Sequence, residues 1–238
     1  VDLLPFSENK YSTSSFEIKV LMKVMKTEFV EDFLSGNLFM NSFDYIRKVE
    51  EKQTRGDDLE GVDSSYKSED FILKISNGSG ELIPIGGIIN RGNFHSNQII
   101  NSNLFSMSAF SSNDLPKNEL ILNKEFQKLG DKTILITNAH EFILKIIKAF
   151  KKRKKISVIP SEPTYIRPVE YVSSQYNGRL GVFRKLDTYI WQKEMRIAFY
   201  RNIMKVEAKP YKFRIGSIRS ICHVVDTSEL INQGITII

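Results

Sequence analysis

The stretch Tyr189-Ile190-Trp191-Gln192-Lys193-Glu194-Met195-Arg196-Ile197-Ala198-Phe199-Tyr200 decides how the rest of the chain is read. Side chains alternate across a strand. An extended reading therefore puts Trp191, Met195, Ile197 and Phe199 on one face, fit for a core, and Gln192, Glu194 and Arg196 on the other. Gln192 and Glu194 would then lie about 7 Å apart, two strand rises of about 3.4 Å. A carboxylate and an amide side by side on a rigid strand suit a cleft. The carboxylate can stabilise a developing cation while the amide orients a second reactant. The same alternation also fits a solvent-facing strand with an internal Glu194–Arg196 pair.

Working outward, Phe16, Ile18, Val20, Met22 and Val24 alternate with Glu17, Lys19, Leu21 and Lys23, which predicts a strand with one apolar face. Lys23 falls on its polar face, where a cation could meet a phosphate. Thr27 reads as an N-cap, Phe29, Val30, Phe33 and Leu34 recur at helical spacing, and Gly36 suits the C′ position. Extended structure resumes at Asn37-Leu38-Phe39-Met40. Leu104–Phe110 is a short strand in which Ser106 and Ser108 share a face. Two hydroxyls there can hold a ribose or a carboxylate, or simply face water. Thr133–Thr137 is a buried strand. Asn138 then caps a helix with Glu141 at the capping-box position, and Ala139, Phe142, Ile143, Ile146, Ile147 and Phe150 form its apolar face. Residues 71–75 and 81–89 read as strands around Asn77-Gly78-Ser79-Gly80, and 156–159, 165–172 and 212–224 as further strands. Residues 1–15 form a loose Ser-rich lead-in. Residues 44–70 form a long polar connection of the kind that is either disordered or a binding loop. Many strands and few helices predict a single α+β domain over 1–238, on a mostly antiparallel sheet.

Composition narrows the functional classes. The chain has 238 residues, 41% hydrophobic and 26% charged, which excludes disorder over its whole length. Net charge is +6, and Lys148, Lys151, Lys152, Arg153, Lys154 and Lys155 account for all of it. Such a run attracts phosphate backbones, or is a solvated helix end, where cations are favoured. A single Cys222 excludes a disulfide framework and a cysteine zinc cage. His95, His140 and His223 are far apart and have no sequence partner for acid–base work. No phosphate-binding glycine loop, dinucleotide fingerprint or nucleophile elbow occurs. Asp57, Asp58 and Glu60 could offer hard oxygen ligands, or pair with Arg47 and Arg55 to stiffen the loop. No apolar run reaches membrane-spanning length and no secretory apolar region opens the sequence, so the expectation is a cytoplasmic, soluble protein.

Together these residues resemble the ADP-ribosyltransferase superfamily. Its members grip NAD in the cleft of a split antiparallel sheet and carry three short motifs in fixed order. A first strand ends in a basic or histidine residue, a later strand carries Ser-x-Ser, and a last strand carries Gln-x-Glu or Glu-x-Glu. Here the order is met by Lys23, then Phe105-Ser106-Met107-Ser108, then Gln192-Lys193-Glu194. Leu21–Met40 is similar to the family's first strand, helix and Gly-Leu return. Leu38–Gly61 and Trp191–Arg196 are similar to a bacterial and phage protein family associated with phage-defence genes. The first motif here is Lys where the superfamily usually has Arg or His, which leaves Arg47 a rival for that role, and Met107 stands where Thr is usual.

The resemblance implies an NAD-dependent ADP-ribosyltransferase, a toxin or phage-defence effector, with NAD as substrate. Glu194 would stabilise the oxocarbenium-like ribose and Gln192 would orient the acceptor. Ser106 and Ser108 would support NAD or Glu194, Lys23 or Arg47 would pair with the pyrophosphate, and Tyr45, Phe105 or Phe110 would stack on nicotinamide. Gln-x-Glu leans towards amides or nucleobases and away from arginine. The basic residues Lys151, Lys152, Arg153, Lys154 and Lys155 make DNA or RNA a reasonable acceptor. An antitoxin partner is a further expectation. Two readings of other classes compete with this one. The first is a nucleic-acid-binding module without catalysis. The second is a metal-dependent nuclease built on Asp57, Asp58, Glu60 and Glu194.

Overall fold

The alternation around residue 20 becomes the first strand, β1 (Ile18–Met25), followed by a 3-10 turn, Thr27–Phe29, and the short helix α1 (Val30–Leu34). A computed structural model of the chain describes residues 18–43, 45–46, 59, 61–86, 90–96, 102–156, 164–200 and 209–237. After α1 come β2 (Asn37–Ser42), β3 (Ser64–Lys67), β4 (Lys74–Ser76), β5 (Leu82–Pro84), β6 (Arg91–Phe94) and β7 (Ser102–Ser111). Then follow β8 (Glu119–Leu120), β9 (Lys132–Ile136), α2 (Ala139–Ile156), β10 (Thr164–Pro168), β11 (Glu170–Val172), β12 (Gly178–Arg179) and β13 (Arg184–Leu186). The chain closes with β14 (Glu194–Tyr200), β15 (Tyr211–Arg214), β16 (Cys222–Asp226), α3 (Thr227–Asn232) and β17 (Ile235–Thr236). This is an α+β fold with mostly antiparallel sheets and few helices, as the strand-rich pattern predicts.

The main sheet runs β10-β14-β7-β1-β9-β16, every pair antiparallel. β14 pairs with β7 from Ser102 to Ser108. On the opposite edge, two strands share β7. β1 pairs with Ser108–Ser111, and β2 pairs with Asn103 and Leu104. Between them the edge at residues 105–107 has no ladder partner among the described residues, so the sheet splits there. β15 continues the β2 side.

Both faces of the sheet are covered, which places β1 in the interior. Leu21, Phe105, Met107, Ala109, Met195, Ile197 and Phe199 form the principal core with α1 and with Phe142 and Ile146 of α2. Val20, Met22, Val24 and Phe110 point the other way, into a second cluster with Phe126 and Leu230. The single apolar face expected for β1 is therefore corrected: a bulge between Ile18 and Val20 shifts the alternation, and Leu21, on the supposed polar face, is fully buried.

Local signals held where backbone chemistry dictates them. Gly36 has φ +86°, the left-handed conformation that ends α1. Asn138 Oδ1 accepts from Glu141 N–H at 2.9 Å at the start of α2. Thr27 does not cap: its hydroxyl and its N–H both turn to Asp131. The 44–70 connection is not wholly a loop, because Ser64–Lys67 forms β3 between β6 and β12. Residue 156 ends α2, and 157–159 lie outside the described residues. The 165–172 strand breaks at Val169 into β10 and β11, and the 212–224 strand into β15 and β16 around a 3-10 turn, Arg219–Ile221. No described helix is long and apolar enough to cross a membrane.

Candidate functional site

One face of β7 and β14 carries a polar band between two apolar clusters. Leu104 and Ala198 belong to a cluster with Phe43, Val182 and Phe183 at one end, and Phe110 belongs to the second core cluster at the other. Between them, Arg196 pairs with Ser106 and Glu194 with Ser108 in the strand register. Strand alternation puts all four side chains on this face. Ser106 and Ser108 thus share a face, as predicted, and that face meets Glu194.

Glu194 is the first residue of β14 and only 7% exposed. Arg196 donates to both its oxygens, Nε to Oε1 at 2.8 Å and Nη2 to Oε2 at 3.2 Å. Lys185 Nζ lies 3.7 Å from Oε2. Burial pushes the carboxyl up; the charges of Arg196 and Lys185, with hydrogen bonds from Arg196 and Ser106, outweigh it and hold the group at about 2. Glu194 is therefore an anion throughout the physiological range and has no proton to give. The internal Glu194–Arg196 pair exists, but in the interior rather than facing solvent.

Two residues that carried no sequence signal complete the site. The parallel pair β11 and β13 brings Tyr171 opposite Lys185 and lays both over the polar band. Tyr171 Oη accepts from Glu194 N–H at 2.8 Å, and burial, the main cause, pushes its hydroxyl up to about 12. Lys185 is 5% exposed and its ammonium also lies 4.7 Å from the Tyr189 ring centroid. Arg196 Nη1 donates to Val182 O at 2.6 Å. Glu194 thus serves two buried cations at once.

Gln192 is not on the strand. Asp187–Gln192 is a 3-10 turn, and Lys193 follows in the left-handed region at φ 45°. Lys193 is held there by Asp114 at 2.8 Å. This breaks the expected alternation: Trp191 packs edge-on against Phe126 in the second cluster, away from Met195, Ile197 and Phe199. Gln192 is half-buried at the start of the Glu194 strand.

Lys23 reaches the site from the other side of the sheet. It lies on the principal-core face, its ammonium 4.9 Å from the Phe105 ring centroid. Its Nζ donates to Ser106 O at 2.5 Å, within the unpaired stretch of β7. Lys23 thus plugs the split from the face opposite Glu194. We expect Lys23→Met to cost about 1–2 kcal/mol, because it orphans a carbonyl. A lower urea midpoint at unchanged slope is the expected reading, and an unaltered midpoint would show that water serves that carbonyl as well.

The proposed stacking aromatics are not gathered. Phe105 stacks on Phe33 in the principal core, Phe110 is buried on the opposite face, and Tyr45 is exposed near the end of β2. Phe105 and Phe110 therefore cannot stack on one ring together. Arg47, Asp57, Asp58 and Glu60 lie outside the described residues. No group of three or more metal-ligating side chains occurs among the described residues, and Glu194 is committed to two cations. The basic run occupies the last turns of α2, where Lys151 and Lys152 are exposed; the side chains of Arg153, Lys154 and Lys155 lie outside the described set. Cys222 packs against the principal core, and burial pushes its thiol up to about 11. Comparison with known proteins finds no matching family model, no similar curated protein and no similar solved structure.

Proposed function

We propose that this chain is an NAD-dependent ADP-ribosyltransferase, of the kind found among toxins and phage-defence effectors. The observation that carries the reading is the convergence of three residues at the split. Lys23 Nζ donates to Ser106 O from one face, and on the other face Ser106 and Glu194 stand on adjacent strands, in neighbouring register positions. Three residues that are far apart in sequence, and that resemble the three ordered motifs, thereby meet at one break in an antiparallel sheet.

In this reading the C1′–nitrogen bond of the nicotinamide ribose breaks and nicotinamide leaves with the bonding electrons. The ionised Glu194 stabilises the positive charge left on the ribose. An acceptor nitrogen or oxygen then bonds C1′ and gives its proton to solvent. In this reading Gln192, two residues before Glu194, orients that acceptor. Arg196 and Lys185 are the cations of the band that would pair with the pyrophosphate. Productive binding requires the layer bearing Tyr171 and Lys185 to part from β14, since Glu194 is covered when they are joined.

The acceptor is a nucleic acid base or a protein side chain. Incubating the protein with NAD labelled in its ADP-ribose, in separate mixtures with RNA, DNA and lysate protein, is expected to label one pool. Gln192→Ala is expected to reduce label transfer more than nicotinamide release. Label on no pool, with nicotinamide still released, would replace transferase by NAD glycohydrolase.

A further inference from the structure

Lys23, the residue expected to anchor a pyrophosphate, lies on the wrong face for it, with its Nζ bonded to Ser106 O at the split. Arg196 and Lys185 lie on the right face but are covered, 2% and 5% exposed. Arg167 of β10 is a cation of that same face that solvent can reach. It stands directly opposite Arg196 in the strand register, so its side chain shares the face of Arg196 and Glu194. β10 is an edge of the main sheet, and Arg167 is exposed there.

The Arg167 head is positioned but uncommitted. Its guanidinium carbon lies 5.5 Å from the Phe183 ring centroid, within cation–π range. Phe183 belongs to the 3-10 turn Gly181–Phe183, whose Val182 O accepts from Arg196 Nη1 at 2.6 Å. One turn thus fixes both guanidinium groups. The ring contact uses none of the N–H donors of Arg167, and among the described residues no carboxylate or carbonyl meets them. A held arginine fork with open donors matches the oxygens of a phosphate. The spacing to Glu194 suits one nucleotide. Arg167 and Glu194 are diagonal neighbours across β10 and β14, about 7–8 Å apart along the backbone. A ribose with C1′ at the carboxylate spans such a gap with its 5′ carbon and phosphate.

We propose that Arg167 is the outer anchor for the pyrophosphate of a dinucleotide, engaged before the layer bearing Tyr171 and Lys185 parts. The identity of the ligand rests on the transferase reading; the place of the anchor rests on the strand register alone. Arg196 and Lys185 meet the same ligand only once that layer has moved.

Calorimetric titration of the full chain with ADP-ribose tests the anchor without turnover, since this probe keeps the pyrophosphate and has no nicotinamide to lose. Arg167→Gln is expected to weaken binding roughly 10–100-fold, the size of a charge-assisted hydrogen bond. Arg167→Lys keeps the charge without the fork and should fall between. Lys74→Gln removes an exposed charge on β4 and should bind like the wild type. Should Arg167→Gln lower the melting temperature, Arg167→Met keeps the stem over Phe183 and is expected to show the same loss. With NAD, Arg167→Gln should raise KM by a similar factor and leave kcat near the wild-type value, the mark of a contact made equally in ground and transition states. Equal ADP-ribose affinity in wild type, Arg167→Gln and Arg167→Met would overturn the anchor, as would equal loss in Lys74→Gln or a wild type that binds no ADP-ribose. Nicotinamide release by Arg167→Gln at the wild-type KM would overturn the anchor and keep the transferase reading. ADP-ribose held through Arg167 by a wild type that leaves NAD intact would keep the anchor and overturn the transferase reading instead.

Discussion

Glu194→Gln is expected to destabilise the protein by about 3–5 kcal/mol, the usual cost of removing one partner from a buried ion pair. Arg196 and Lys185 stay 2% and 5% exposed, and the amide withdraws the charge that Glu194 gives them. A double variant, Glu194→Gln with Arg196→Met, removes the closest cation with the anion and is expected to recover most of the loss. Urea unfolding of the three proteins measures this directly. The wild type also carries a pH signature. The carboxyl is held at about 2 against its ordinary 4.5, so the unfolded chain takes up the proton first as pH falls. The stability due to ionised Glu194 is complete above about pH 4.5 and is lost as pH falls towards 2. The size of that loss is about 3 kcal/mol. In Glu194→Gln this segment of the pH dependence disappears. A wild-type stability that is flat through that window would contradict the buried pairing.

Gly36→Ala is the second large effect. Gly36 ends α1 at φ +86°, where an L residue costs about 1 kcal/mol before any contact is counted. An added Cβ would also sit far inside van der Waals distance of the Gly216 carbonyl, which is backbone and cannot swing away. Two hydrogen bonds fix that approach, Ile215 N–H to Gly36 O at 2.9 Å and Ile218 N–H to Leu34 O at 3.0 Å. Relief therefore means parting α1 from the 215–218 segment, and we expect a loss above about 3 kcal/mol, the range of overpacked and strained sites. Gly216→Ala is the control. Gly216 also has positive φ, at +80°, but a Cβ there meets open space. It should cost about 1 kcal/mol, the conformational part alone. Equal losses in the two variants would show that strain, not the close approach, sets the cost at Gly36.

The elements legible in the sequence were those fixed by local chemistry. β1, β7, β9 and α2 announced themselves by alternation, by a capping asparagine and by helical spacing, and Gly36 by its place after an apolar turn. The elements that escaped are decided by partners distant in sequence. Ser64–Lys67 has no apolar alternation and becomes a strand because Arg91–Phe94 and Gly178–Arg179 lie on either side of it. Residues 187–192 continue an apolar pattern into β14, yet wind into a 3-10 turn, because Lys193 turns left-handed against Asp114 and Trp191 finds Phe126. In β1 Leu21 and Lys23 share a face as the alternation predicts, but that face is buried against the principal core, so Lys23 plugs the split rather than meeting solvent. At the site, the order Lys23, Ser106, Glu194 was readable, and so was an internal Glu194–Arg196 pair. Lys185 and Tyr171 were not, since nothing in Arg184-Lys185-Leu186 distinguishes it from an exposed polar strand.

Release of nicotinamide from NAD by the folded wild type, followed chromatographically with RNA, DNA and lysate protein supplied in turn, tests the proposed chemistry most directly. The account predicts release by the wild type. If the Glu194 anion contributes about 4 kcal/mol to the transition state, release falls roughly a thousandfold in a Glu194→Gln sample shown to be folded by circular dichroism. Intact NAD after incubation of folded wild type with every acceptor pool would contradict it.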